Sequence, residues 1–338
     1  MKPKVNRPSF LGKVQTTLFI TLSCFLAPHV LATSDSWDGS TSGVWATNTN
    51  WTTDPATVPS TLETATFNGA GNGNTIIDLG AGTTAGFVIF DSASAAAYTI
   101  GSGAVGSQNL TIDGNTTANL SLTATVANAQ TVNANIIASM SGNTMRVSNL
   151  STQGLTINGG ITSSNSSTKT MNVTTTSGGG NATFNGGIGD GTAAFVVANI
   201  GSGNLTLGGS GTSTLSTLRA TQAGSKVVVN GQAVNVASQS DYANGGIIEV
   251  QSGSAKFSNN IRFTSNTATN GVNVTGGTLS ALGLTVSTSS QRYNFTLNGT
   301  NAAAYFGASG MQTGSTSGTT TLTAGTLGAN GSWATSRA

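Results

Sequence analysis

The sequence predicts an all-β protein, a parallel β-helix (β-solenoid) of about twelve coils with an N-terminal Trp-rich cap. Three observations predict it. The first is a recurring unit, seen in Leu155-Thr-Ile-Asn-Gly-Gly160, in which a short extended segment runs into a turn. Thr and Ile are β-branched and pack well on a pleated surface. Leu155 and Ile157 point to one face and Thr156 to the other. Asn158 and Gly159 tolerate left-handed backbone angles and so supply the turn. Variants recur as Thr66-Phe-Asn-Gly69, Leu110-Thr-Ile-Asp-Gly114, Val227-Val-Val-Asn-Gly231 and Phe295-Thr-Leu-Asn-Gly299.

The second observation is the period. The closing glycines stand at positions 69, 114, 159, 186, 208, 231, 276, 299 and 325. Gaps of 45 are double steps, with weaker equivalents at Asp91, Asn135 and Gly253 inside them. The span 325 − 69 = 256 over 11 intervals is about 23 residues. A fixed period of this size marks a solenoid or array. Twelve coils stacked about 4.8 Å apart make a rod of roughly 55 Å. On this reading Gly159, Gly186 and Gly208 share one phase of the coil and adopt positive φ. The third observation is that Pro59 is the last proline, so nothing later interrupts a backbone ladder.

The elements follow in order. Residues 1–32 read as a signal peptide. Lys2, Lys4, Arg7 and Lys13 form its basic region, Leu18–Leu26 its apolar run, and Val30-Leu-Ala32 its cleavage site. The run is too short and polar to anchor in a bilayer. Cys24 raises lipidation, but Thr21 stands where a lipobox wants Leu. Residues 33–68 hold Trp37, Trp45 and Trp51 and are read as the cap, since a solenoid needs an atypical terminal coil. A sugar-stacking surface is the alternative use of those rings. Residues 69–338 are the solenoid of about 23-residue coils, with an incomplete last coil near Trp333.

Composition excludes several functions. The leader carries four of the twelve basic residues and no acid, so residues 33–338 have a net charge of 8 − 10 = −2. That leaves no basic footprint for nucleic acid. Cys24 and His29, the only Cys and His, also lie in the leader. The mature chain therefore lacks a disulfide, a thiolate and an imidazole. Ser-His-Asp and Cys-His catalysis and Cys/His zinc sites need those groups. The sequence offers no catalytic, cofactor-binding or metal-ligating residue, and no integral membrane segment after the leader.

Three patterns resemble sites. Gly101-Ser-Gly-Ala-Val-Gly106 matches a dinucleotide fingerprint, but a strand-and-turn pattern follows it where the chemistry needs a helix. Gly186-Gly-Ile-Gly-Asp190 approaches a calcium repeat, but its Asp comes one residue early and it occurs once. Asp91 and Asp113 lie 22 residues apart, about one coil, and could stack as the carboxylate pair that glycosidic cleavage needs. Both also suit ordinary Asx turns. Asn-x-Thr sequons such as Asn109-Leu-Thr111 and Asn204-Leu-Thr206 follow from composition.

Trp37-Asp-Gly39, Gly43-Val-Trp45, Asn50-Trp51, Pro59 and Ala65-Thr-Phe67 resemble the mature N-terminus of bacterial autotransporter-associated β-strand repeat proteins. Gly276-Gly-Thr-Leu279 and Ala324–Trp333 resemble their repeat. The resemblance implies an exported, passenger-like β-helix at the outer surface, or outside, of a Gram-negative-type bacterium, with the periplasm as the alternative location. It implies a structural role, as stalk, surface-layer component or adhesin, facing a cell-surface or extracellular polysaccharide or protein partner. It carries over no catalytic residue. A polysaccharide-active β-helix enzyme and a carbohydrate-binding module are the alternatives.

Overall fold

A computed structural model describes residues 34–53, 56–189, 194–312, 318–330 and 333–334. The expected signal peptide lies outside the described residues.

The described chain repeats one connectivity: strand, corner, strand, corner, strand, then up one level. Alternating residues make each strand. In Lys169–Thr175, for instance, every second side chain is buried and the others reach solvent. Three parallel ladders result, and every strand pairing is parallel. The first begins at Asp35–Ser36 and Thr64–Phe67 and climbs through Phe87–Phe90, Thr117–Leu122, Thr144–Asn149 and Lys169–Thr175. The second begins at Ile76–Ile77 and climbs through Thr99–Ile100, Gln130–Val132, Leu155–Ile157 and Ala182–Phe184. The third begins at Thr83–Ala85 and climbs through Asn109–Ile112, Asn135–Ala138 and Ile161–Ser163.

Later strands turn corners without a break. Asn294–Gln312 serves all three ladders, pairing at 294–297 with the second, at 302–306 with the third and at 311–312 with the first. The inward side chains form one continuous core along the stack, from Trp37 to Met311.

The stack has about 11 turns. Its step is uneven. Ser240 pairs with Ile261, 21 residues on, whereas Phe87 pairs with Asn119, 32 residues on. The extra residues sit in loops at the corners, such as 91–98 and 101–108. The mean period expected from sequence therefore describes an average rather than a unit.

The three glycines expected to share a phase do share one, but the longer series of closing glycines does not keep it. Gly159, Gly186 and Gly208 lie at the corner between the second and third ladders, but Gly69 follows a first-ladder strand and Gly114 a third-ladder strand. The same strand-then-Asn/Asp-Gly pattern suits all three corners, so the pattern alone does not fix phase. Gly159, Gly186 and Gly208 do not have positive φ either. Glycine is needed at Gly159 and Gly186 because coils approach closely there. A β-carbon on Gly159 would strike the carbonyl of Ala134, and one on Gly186 the carbonyl of Gly159.

The first end of the core is closed by tryptophan, as expected. Trp37, Trp45 and Trp51 are at most 2 % exposed. Trp51 meets Trp37 and Trp45 edge-on at 5.2 and 5.0 Å, and all three rings rest on Phe67. Phe67 stacks in turn on Phe90 at 5.3 Å. The cap is tied down by Asn50, whose Oδ1 accepts from the Thr41 and Ser42 amides, and by Asp35, which accepts from the Thr52 and Thr53 amides. The indoles of Trp37 and Trp51 donate to the Asn74 and Trp45 carbonyls.

Candidate functional surfaces

The rings of the cap cannot stack on a sugar, because their faces are covered by one another and by Phe67. The sugar-stacking alternative for Trp37, Trp45 and Trp51 is thus overturned by burial. Among the described residues, Tyr305 on the third ladder is the exposed large aromatic.

Asp91 and Asp113 are not brought together as a stacked pair. Asp91 follows the first-ladder strand Phe87–Phe90, and its amide donates to the Phe67 carbonyl. Its carboxylate accepts from the Thr123 hydroxyl at 2.6 Å and from the Ser92 amide. Asp113 follows the third-ladder strand Asn109–Ile112, with its amide on the Ala85 carbonyl. A separation of 22 residues equals one coil only between equivalent corners, and these corners differ.

Gly101–Gly106 forms a corner loop between the second and third ladders. Gly101, Gly103 and Gly106 have φ of +100°, +75° and +74°. The next element is the strand Asn109–Ile112, so no helix terminus faces the loop. Gln108 fills the turn, accepting from the Ser102 amide at 2.8 Å and donating to Asp78 at 2.5 Å. The Gly80 amide, followed by the Gln108 side chain, holds the Asp78 carboxyl below the usual carboxylate range. Asp190 of the calcium-like pattern lies outside the described residues. Among the described residues no three His, Cys, Asp or Glu side chains converge as metal ligands.

Other groups were not singled out from sequence. Lys169 is fully buried on the first ladder. Its ammonium donates to the Met140 and Gly142 carbonyls, both at 2.9 Å. Burial pushes its pKa down. The signal was available: Lys169 shares strand parity with Met171 and Val173, both inward. Buried Asn149, Asn199 and Asn270 recur at the corner between the first and second ladders. Each donates to its own loop and to the next coil. Asn149 reaches Gln153 O and Asn181 O, and Asn199 reaches Gly203 O and Lys226 O. Among the described residues, two ion pairs link neighbouring coils, Arg262 to Asp241 in a bidentate fork and Lys226 to Glu249 at 2.7 Å.

The outer surface of the second ladder carries a regular polar column. Thr99, Thr131, Thr156, Thr183 and Thr206 stand in register on five successive rungs. Beside them the amides of Asn133, Asn158 and Asn185 form a hydrogen-bonded column, with spacings of 2.8 and 2.7 Å. Gly101 and Gly208 stand above and below the asparagines. No charged side chain lies on these five rungs of the ladder.

No helix among the described residues is long and apolar enough to cross a membrane. No protein-family model, curated protein or solved structure matches the chain.

Proposed function

We propose that the chain is an exported, non-enzymatic structural β-helix, passenger-like, that serves as a stalk, surface-layer component or adhesin at the surface of a Gram-negative-type bacterium. One observation supports this reading above others: the described strands stack into three parallel ladders, and Asp91 and Asp113, the candidate carboxylate pair, stand at different corners. Coils held only by their neighbours give length and stiffness, which suits a stalk.

The test is export. The full chain is expressed in a Gram-negative host, and the cells are fractionated. The expected product begins at Thr33 and is reached by protease added to intact cells. An unprocessed product held in the cytoplasm would overturn the proposal. The enzymatic alternative is checked with a panel of acidic and neutral polysaccharides. Depolymerisation that disappears in Asp91→Asn would replace the structural reading.

A further inference from the structure

We propose that Asn68–Gly69 is a site of spontaneous covalent modification, where the asparagine cyclises onto the glycine amide and opens to aspartate and isoaspartate. This goes beyond the role above and holds whether or not the chain is exported. The sequence has nine Asn-Gly pairs, at Asn68, Asn72, Asn158, Asn185, Asn230, Asn244, Asn270, Asn298 and Asn330. A glycine leaves the amide after the asparagine unshielded by a β-carbon and free to turn, so every pair is reactive in an unfolded chain. The fold decides which of them reacts in the folded one. Ring closure needs a free asparagine amide, a free glycine nitrogen and a backbone with room to turn.

Asn68 meets all three conditions. It is exposed, and its side-chain amide makes one long contact, to the Ser36 hydroxyl at 3.4 Å. The Gly69 amide donates to no described residue. Both residues lie outside the strands, and a β-carbon on Gly69 would meet nothing within 4 Å. The other described pairs each fail a condition. The Asn72 amide donates to the Asp38 carbonyl at 2.9 Å, and the Gly73 amide to the Ala70 carbonyl at 3.3 Å. The Asn244 amide donates to the Thr221 carbonyl at 3.0 Å, and the Gly245 amide to Asn270 Oδ1 at 2.8 Å. Asn158 and Asn185 are tied into their column, and Asn270 is fully buried. Asn230 and Asn298 lie inside the continuous strands Lys226–Val236 and Asn294–Gln312. A β-carbon on Gly231 or Gly299 would strike the Gly209 or Thr275 carbonyl of the coil beneath. Gly331, which follows Asn330, lies outside the described residues.

The chemistry balances with water alone. The Gly69 nitrogen gives its proton to water and attacks Cγ of Asn68. The N–Cγ bond forms, the Cγ–Nδ2 bond breaks, and Nδ2 takes up a proton and leaves as ammonia. Water then adds to the five-membered imide. Addition at Cγ breaks the new bond and gives aspartate. Addition at the main-chain carbonyl breaks the original peptide bond and gives isoaspartate. The isoaspartate places an extra carbon in the main chain between Phe67 and Gly69. Phe67 carries the three cap tryptophans, and the Gly69 carbonyl accepts from the Ala96 amide at 3.0 Å and the Tyr98 hydroxyl at 2.8 Å. The change therefore falls at the seat of the cap.

The test is to age the folded full chain, release peptides with a protease of broad specificity, and sequence them by mass spectrometry. Among the described pairs, Asn68 should be the first to gain the one-unit mass of amide turned to acid, as separable aspartate and isoaspartate forms. In guanidinium the pairs should react at comparable rates, and the lead of Asn68 should vanish. Gly69→Ala should keep the fold, given the open space at that position, and should slow the reaction at Asn68 several-fold. An Asn68 that stays intact, or that reacts after another described pair, would overturn the proposal. So would a lead that persists in guanidinium, or an unchanged rate in Gly69→Ala.

Discussion

The side-chain amide of Asn185 donates to the side-chain oxygen of Asn158, one coil away, at 2.7 Å. Asn158 repeats the gesture toward Asn133 at 2.8 Å. Asn158 is thus donor on one side and acceptor on the other.

Asn158→Ala should cost about 1–2 kcal/mol, from two hydrogen bonds at about 1 kcal/mol each. Asn158→Asp should cost more near neutral pH. One carboxylate oxygen still accepts from Asn185, but the other faces the Asn133 oxygen with no proton between them. That repulsion raises the carboxyl pKa in the folded state. The folded chain then binds the proton more readily than the unfolded chain, so the variant loses stability as pH rises through the carboxylate range. Urea unfolding of both variants at acidic and neutral pH checks this. An Asp variant without such pH dependence would show that the ladder is not held by its amides.

Gly186→Val should damage the stack locally. The new side chain strikes the Gly159 carbonyl of the coil beneath. Overpacking of this kind costs about 1–3 kcal/mol. Each coil touches only its neighbours, so hydrogen-exchange protection should fall between about Gly159 and Gly231 and persist near Gly69 and Gly299. Uniform loss along the chain would contradict a stack of neighbour-coupled coils. Gly154→Ala, with open space around it, should stay within about 0.5 kcal/mol of the parent.

Lys169 should make stability rise with alkalinity. Burial disfavours its ammonium, so the folded chain releases the proton at lower pH than the unfolded chain, whose lysine holds it to about 10.4. Between those two values the unfolded state binds more protons, and stability climbs with pH. Each unit of separation contributes about 1.4 kcal/mol. Lys169→Met removes the titrating group and should flatten the profile. Urea midpoints from neutral pH to about 10 compare the two chains, within the range set by the lysine pKa. An equal slope in the variant would place the titration elsewhere.

Much of the fold was legible because alternation is written residue by residue. Leu155, Ile157 and their counterparts declare which face is inward without reference to distant sequence. Trp37, Trp45 and Trp51 declared the cap, since three large rings beside the first coil need burial. Phase was not legible. Phe67-Asn-Gly69 and Ile157-Asn-Gly159 read alike yet close different ladders, because a turn after an extended segment has the same chemistry at any corner. The pairing of Asp91 with Asp113 failed for that reason. The threonine column was hidden for another: its members lie 23 to 32 residues apart, and only the register across uneven loops aligns them. Lys169 was legible by parity and was overlooked because a lysine in a strand is ordinarily outward.

The parallel ladders also decide how the molecule bears load. Their hydrogen bonds run between coils, along the axis of the stack, so tension applied to its two ends reaches them in series. The coil at one end peels before the next is disturbed. Register steps of 21 to 32 residues mean that each peeled coil releases about 70 to 110 Å of extended chain. Under a steady pull the stack would lengthen in a run of small yields, each dissipating work, in place of a single rupture. A tether built this way absorbs a jolt and keeps its grip.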